Sequence, residues 1–397
     1  MTDAPLIQTA GTRHGVMILI ASVMPVMAII ALVPVLPLLL REFADVGGSE
    51  FLVPIAMTVP ALCVAVFSPV AGWLSDRLGR KNLLVGSMVL YAVFGIIPWF
   101  LDDLFPIIGA RIALGAVEAM IMTVATTLIG DYFEGEKRER WIALQVAAAS
   151  LSAIVLIAIG GILGEVLGSR GPFLMYLLAL PAAAAAAAIL FEPAASQSGN
   201  TPAEVRFPLG AIAPLVLTTL FVGVVFYTII VQLGPILEIP GTVSPAVIGM
   251  IGAVCNCAVG LGSLLFHKSK QHVGLRLLAA GLVVAALGYA GASLATTLPV
   301  IAACVILASI GSGMMLPNML TWTMSRLPPQ MRGRGMGLWT GAFFLGQFLA
   351  PLLAAAVTGM TGAMAATLLA YATTIAVAAV MALLLSRLSA KTADAAA

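Results

Sequence analysis

From end to end the chain alternates long apolar runs with short polar interruptions. A membrane-crossing helix needs about 20 mostly apolar residues. Twelve runs reach that length: residues 16–40, 51–74, 82–101, 104–130, 141–167, 172–191, 211–233, 245–266, 274–297, 299–325, 335–358 and 363–386. Only Asp102-Asp103 separates the third run from the fourth. The first run is too long for the core of a cleaved signal peptide, and it passes directly into Arg41-Glu42. It is therefore read as a first transmembrane helix. The pattern predicts an all-α membrane protein with twelve spans.

The polar interruptions give the direction of threading. Of the 19 lysines and arginines, 16 fall in the termini and the loops on their side. Arg41 and Arg170 lie on the opposite side, and Arg111 lies inside a run. The positive-inside rule then predicts that both termini are cytoplasmic. The longest polar stretch, 192–207, contains Pro193, Ser196, Ser198, Gly199, Asn200 and Pro202 and reads as a linker. It divides the chain into an N-terminal six-helix bundle (1–191), a cytoplasmic linker (192–210) and a C-terminal six-helix bundle (211–397). A shift of 194 residues lays Arg138 and Arg140 over Arg332 and Arg334, Leu144 over Leu338, and Leu83-Leu84 over Leu277-Leu278. The two bundles are thus expected to be pseudo-symmetric repeats, with a substrate cavity between them near the bilayer midplane.

Composition narrows the function. With 61% hydrophobic residues, 9% charged residues and a mean hydropathy of +1.11, the chain is far from soluble composition. It has no Gly-x-x-x-x-Gly-Lys-Ser/Thr phosphate loop and no His-Glu-x-x-His cluster, which argues against an ATP-driven pump with its own nucleotide domain and against a metal-dependent hydrolase. Cys63, Cys255, Cys257 and Cys304 lie in apolar runs. Cys255 and Cys257, two apart, face different ways on a helix. His14, His267 and His272 show no ligand spacing, so neither metal nor cofactor is expected. No basic run with interleaved aromatics suggests nucleic-acid binding.

One interruption is more specific than the rest: residues 72–81, GWLSDRLGRK. Its cations need no explanation beyond orientation, but Asp76 and the glycines at 72 and 79 do. The pattern G-x-L-x-D-R-x-G-R-K resembles the signature loop between the second and third helices of the major facilitator superfamily. A plain turn with a helix cap is the simpler reading of the same residues. The resemblance implies a conformational gate made by Gly72, Asp76, Arg77, Gly79 and Arg80. In that family the loop aspartate sits near the start of the eleventh helix, whose N-terminal dipole favours an anion. Here that helix is expected to begin around Arg334, which joins the gate, and Gly72 would allow close helix approach. These residues would set conformation without touching substrate.

Charge at membrane depth costs about 2.5–3.5 kcal/mol on insertion scales, and only Arg111 and Glu118 lie clearly that deep. Seven residues apart, they share one face of the fourth helix about 10 Å apart along its axis, too far for a direct ion pair. Either they are structural charges buried between helices, or Glu118 takes up and releases a proton as access alternates. Burial and a neighbouring cation act on a carboxyl in opposite directions, so admitting water can switch its charge. Arg111 also matches the arginine of the superfamily's fourth-helix motif, which is implicated in proton coupling. The first helix lacks the acid common in drug:proton antiporters, which moves the coupling role onto Glu118. The fifth helix keeps paired glycines, Gly160-Gly161, but has Ile157 where antiporters usually carry a Gly-Pro pair. Under the 194-residue shift Ile157 falls on Pro351.

Among the other polar residues at depth, many serve only to join helices. Gln232, Asn256, Asn318, Trp322 and Gln347 belong to helices that line or flank the cavity in the family, and are the candidate substrate contacts. The chain is similar to the drug:proton antiporter and sugar-efflux-like branch. The resemblance implies a secondary transporter, not an enzyme, that works as a monomer in a bacterial-type inner membrane. Proton-coupled efflux of a small amphipathic or cationic organic molecule is the expected activity. A proton-coupled importer or passive facilitator of the same fold is the alternative, and a non-transporting receptor on that fold a third.

Overall fold

The computed structural model describes residues 10–193, 209–269, 273–327 and 332–394. Its regular secondary structure over those residues is entirely helical. Eleven helical stretches among them are long and apolar enough to cross a membrane. One, Gly135–Ile189, has 55 residues, roughly 80 Å if straight against a hydrocarbon core of about 30 Å. It turns back at Gly168, whose φ of +74° ends the first leg, and its second leg packs on the first. The stretch is thus two crossings, and twelve result.

We number the crossings in chain order. α1 is Thr12–Glu42, broken by a 3-10 turn at Val33–Val35, and α2 is Ser49–Leu78. α3 is Arg80–Ile96 with a short 3-10 tail, and α4 is Leu104–Tyr132. α5 is Gly135–Leu167, and α6 is the 3-10 segment Gly168–Leu178 continued by Ala179–Ile189. α7 is Leu209–Val231, with a short helix at Leu233–Leu237, and α8 is Pro245–Ser269. α9 is Leu275–Leu294, α10 Leu298–Ser325, α11 Arg332–Thr361 and α12 Met364–Asp394. Each predicted run coincides with a crossing. The fifth begins six residues early, because the charged segment 136–140 continues the helix beyond the apolar run. Most of the expected linker, residues 194–208, lies outside the described residues.

Apolar side chains such as Val66, Leu264, Leu287 and Val377 are more than half exposed along these helices, as expected where lipid is the solvent. The repeat anticipated from the loops recurs in the packing. In the first half Tyr91 of α3 lies against Tyr176 of α6 with ring centroids 5.3 Å apart, and its hydroxyl donates to the Met24 carbonyl of α1. In the second half Tyr289 of α9 stacks on Tyr371 of α12 at 5.9 Å and donates to the Val225 carbonyl of α7. Gly79 and Gly274, which open α3 and α9, both have positive φ, +84° and +115°.

Twelve crossings put the start of α1 and the end of α12 on one face, called here the terminal face; the other is the far face. The two halves meet along α2 with α11 and α5 with α8. At the far face these contacts are tight: a Cβ added at Gly161 of α5 would lie 2.6 Å from the Pro245 carbonyl oxygen and 3.0 Å from Gly249 Cα of α8. Toward the terminal face they are not. A Cβ at Gly72, Gly260, Gly337 or Gly341 would meet nothing within 4 Å. No side chain from 142 to 152 in α5 is buried, whereas Ala153, Leu156 and Ile157 beyond them are. The halves therefore close at the far face and part toward the terminal face.

Candidate functional site

Arg111 is 1% exposed, and irregularities in two neighbouring helices supply its partners. Pro60 of α2 has no N–H, which leaves the Ala56 carbonyl without its helical donor; Arg111 Nε donates to that oxygen at 2.9 Å. In α1 the turn toward 3-10 geometry pairs Leu32 N–H with Ile29 instead of Ala28. The Ala28 carbonyl then accepts from Arg111 Nη2 at 2.5 Å and from the Tyr176 hydroxyl at 2.9 Å. Nη2 also reaches the Met57 carbonyl at 3.0 Å, and Nη1 reaches the Tyr176 hydroxyl at 2.5 Å. One guanidinium thus ties α4 to α1, α2 and α6 and satisfies carbonyls that membrane interiors cannot leave unpaired.

Glu118, on the same helix, is also 1% exposed. Neither of its carboxyl oxygens has a hydrogen-bond partner, and the four hydrogen bonds of Arg111 go elsewhere. One turn before it, α4 touches α2: a Cβ at Gly115 would lie 2.6 Å from Pro60 Cα and 2.7 Å from Cys63 Cβ. Within electrostatic reach of Glu118 are Cys63, Tyr91 and Tyr176 of its own half and, from the opposite half, Tyr227 of α7. Tyr227 begins an aromatic wall. Its ring is 5.0 Å from Phe343 of α11, and Phe343 stacks on Trp339 at 5.5 Å. Tyr227 and Phe344 also cover Ile29, Ala61 and Val231, where α1, α2 and α7 converge. Along α11 two further buried polar atoms lack partners: Trp339 Nε1, a donor, and Gln347 Oε1, an acceptor.

The other expected cavity residues divide. Gln232 is buried and donates to the Pro351 carbonyl at 3.4 Å, one turn beyond Gln347 on α11. Asn256 is half-buried and donates to Gly252 of its own helix at 2.9 Å. Asn318 is fully buried in a structural clip, accepting from the Gly274 N–H at 2.9 Å and donating to the Gly274 carbonyl at 3.1 Å. Trp322 packs beside the same glycine near the terminal face. The last two hold the start of α9 and stand apart from Glu118.

In the loop 72–81, Gly79 closes α2 and opens α3 at φ +84° and ψ 146°, a region open essentially to glycine alone. The first N–H groups of α3 are capped from another helix end: Glu192, just past α6, accepts from Arg80 N–H at 2.6 Å and Lys81 N–H at 2.9 Å. An anion at a helix N-terminus is favourable. The Arg80 side chain pairs with Asp131 near the end of α4, and the Arg77 guanidinium sits 4.1 Å over the Trp73 ring. Gly72 makes no close approach in this conformation, because a Cβ there would stand in open space. The side chains of Asp76 and Arg334 lie outside the described residues. Tyr176, Tyr227, Phe343, Asp131 and Glu192 were not anticipated as site residues. The tyrosine pairs could have been found from their recurrence in both halves, at offsets four and one residues longer than 194.

The chain matches the Major Facilitator Superfamily in two overlapping stretches, residues 18–351 and 215–396, and belongs to that family. It is an all-helical integral membrane protein. It is 31% identical over 131 residues to the inner membrane transport protein YajR of Escherichia coli K12, covering 32% of this chain and 28% of that protein. It is 30% identical over 186 residues to the class G tetracycline resistance protein of Vibrio anguillarum, covering 47% and 46%. The chain thus matches less than half the length of each of these relatives. Among solved structures, a bacterial homologue of the human lysosomal transporter Spinster, inward-facing and occupied, superposes with a TM-score of 0.76 at 17% identity over 95% of this chain and 98% of that one. A D-xylose–proton symporter does so with a TM-score of 0.76 at 12% identity over 91% and 96%.

Proposed function

We propose that the protein is a proton-coupled exporter of small organic molecules, in which Glu118 carries the proton. The observation that carries this reading is a fully buried carboxyl with two unpartnered oxygens, within electrostatic reach of Tyr227 in the other half of the molecule. A buried charge without a partner is expensive, so its protonation follows its access to water. Alternating access opens it to water from each face once per cycle. Arg111 is the fixed element beside it, because its bonds to backbone carbonyls do not depend on substrate. The wall formed by Tyr227, Phe343 and Trp339 suits a flat apolar body, and aromatic faces attract cations. Together with Glu118 it favours an amphipathic organic cation. The tetracycline resistance relatives support the direction of export.

The alternative is a proton-coupled importer or passive facilitator. The fifth helix favours it, since Ile157 replaces the expected Gly-Pro pair and instead packs against Gly252 of α8, where an added Cβ would lie 2.3 Å from Ile157 Cδ1. The reading further places the protein as a monomer of two six-helix bundles joined by the linker 192–210, in a bacterial inner membrane with both termini cytoplasmic. The loop 72–81 and Arg334 act as its terminal-face gate.

The test uses purified protein in liposomes that contain a pH-sensitive dye. Organic cations, sugars and organic anions are added in turn under an imposed proton gradient, to wild type and to Glu118→Gln. Proton flux provoked by organic cations and abolished by the substitution is the expected result. Substrate movement with no proton flux, the same in both proteins, would establish the facilitator instead.

A further inference from the structure

The far face is closed by contacts whose chemistry goes beyond packing. Glu165 lies in the last turn of α5, where the helix dipole already presents partial negative charge. A carboxylate there is unfavourable for its own helix. Its partner is in the other half: Glu165 Oε2 accepts from the Ala246 N–H at 3.4 Å. Ala246 is the second residue of α8, a helix of 25 residues. Pro245 before it has no N–H to offer, so Ala246 is the first free donor of that helix. The next, Val247 N–H, goes to the Ser244 hydroxyl at 3.4 Å. Glu165 therefore places a negative charge on the positive end of α8 only while the halves touch.

Three neighbouring contacts depend on the same closure. Gly161 and Gly249 bring the α5 and α8 backbones together, as described above. Gly164 admits Pro245, to which an added Cβ would approach within 3.1 Å. Arg41, at the far-face end of α1, pairs with Glu238 just past the short helix that follows α7. Glu238 in turn accepts from the Val243 N–H at 3.4 Å in the loop leading to α8. Both polar links that the described residues make between the halves, Glu165 to Ala246 and Arg41 to Glu238, lie at the far face.

We infer that Glu165 is a latch: a positioning residue that holds the far face shut by charge on the N-terminus of α8 and is released when that face opens. It is the far-face counterpart of the contact expected between Asp76 and the start of α11, with α5 and α8 in place of α2 and α11. Opening the far face leaves the carboxylate on the unfavourable end of its own helix. The latch thus weights the cycle toward the conformation open at the terminal face. The inference rests on the alternating-access reading, but on neither proton coupling nor the substrate.

Hydrogen–deuterium exchange on the purified full chain in lipid nanodiscs tests it without any transport assay. Removing a helix-terminus charge interaction of this kind changes a two-state ratio by about two- to fivefold. In Glu165→Gln, amides in 157–167 and 245–252 should exchange faster by that factor. Amides at the terminal-face ends of α2 and α11, in 66–78 and 335–343, should exchange more slowly, because one face closes as the other opens. Glu238→Gln, which breaks the other link without touching α5, should give the same reciprocal pattern. Glu165→Asp, which keeps the charge, should restore protection in part. Faster exchange confined to 162–168, with α8 and the terminal face unchanged, would reduce Glu165 to a fraying helix end and overturn the latch. Failure of proton coupling in liposomes with the reciprocal pattern intact would refute the role of Glu118 and leave the latch standing.

Discussion

Two ionisable side chains of α4 are equally buried and differently used. Arg111 has a backbone or hydroxyl oxygen for every direction its guanidinium points, whereas Glu118 has none. Substitution should separate them. Arg111→Met leaves the Ala56 carbonyl in the membrane without a donor, at about 1–3 kcal/mol for a buried group left unsatisfied, and strips Ala28 and Met57 of a second one. We expect a large fall in thermal midpoint in detergent, or no folded protein. Arg111→Lys should recover little of it, because an ammonium cannot span Ala28, Ala56 and Tyr176 at once. Glu118→Gln keeps the shape and removes no bond, so its thermal midpoint should match wild type within error while coupling is lost. A Glu118→Gln protein as unstable as Arg111→Met would mark the acid as structural. Both residues were legible in the sequence, as the only charges clearly at depth. Their divergence was not, because it depends on Pro60 and the 3-10 turn of α1, which free the carbonyls that occupy Arg111.

At the level of helices, apolar run length located every crossing, because a bilayer admits few other solutions for a backbone that must satisfy itself. Helix ends were less legible. The motif 72–81 pointed to a gate, yet the partner that holds it in place, Glu192, sits more than a hundred residues away at the edge of a stretch read as linker. Its role depends on the ends of α3 and α6 meeting, which no local pattern encodes. Two changes test this arrangement by thermal unfolding. Glu192→Ala uncaps α3 and should cost about 0.5–2 kcal/mol. Gly79→Ala forces a side chain into a glycine-only backbone region, at about 1–3 kcal/mol, and brings its Cβ to 3.0 Å from the Glu192 carboxylate. If the two losses simply add, the glycine and the acid do not act on the same helix start. On α5, the paired glycines were visible as a motif, but not that Gly160 meets α1 while Gly161 meets α8. Gly161→Val should pry α5 from α8 and raise exchange at 245–252, whereas Gly160→Ala should strain the first half alone.

The whole molecule is two similar bundles that close on one face and part on the other, and its charges follow that geometry. The loop charges and the 194-residue shift anticipated the repeat, and the tyrosine pairs of α3–α6 and α9–α12 express it in packing. The halves differ where function is assigned. Tyr176 meets Arg111, an arginine that α10 does not repeat near Tyr371, and the unpartnered acid belongs to the first half while the aromatic wall that begins at Tyr227 belongs to the second. That division suits a cavity whose two sides separate during transport. The role we propose for Glu118 is to carry the proton that drives this movement. Its most direct test compares two modes of transport of one organic cation in proteoliposomes, for wild type and Glu118→Gln: accumulation driven by a pH gradient, and exchange of labelled for unlabelled substrate with no gradient. Loss of driven accumulation with exchange retained is the result predicted for a proton carrier. Accumulation at the wild-type rate in Glu118→Gln would contradict it.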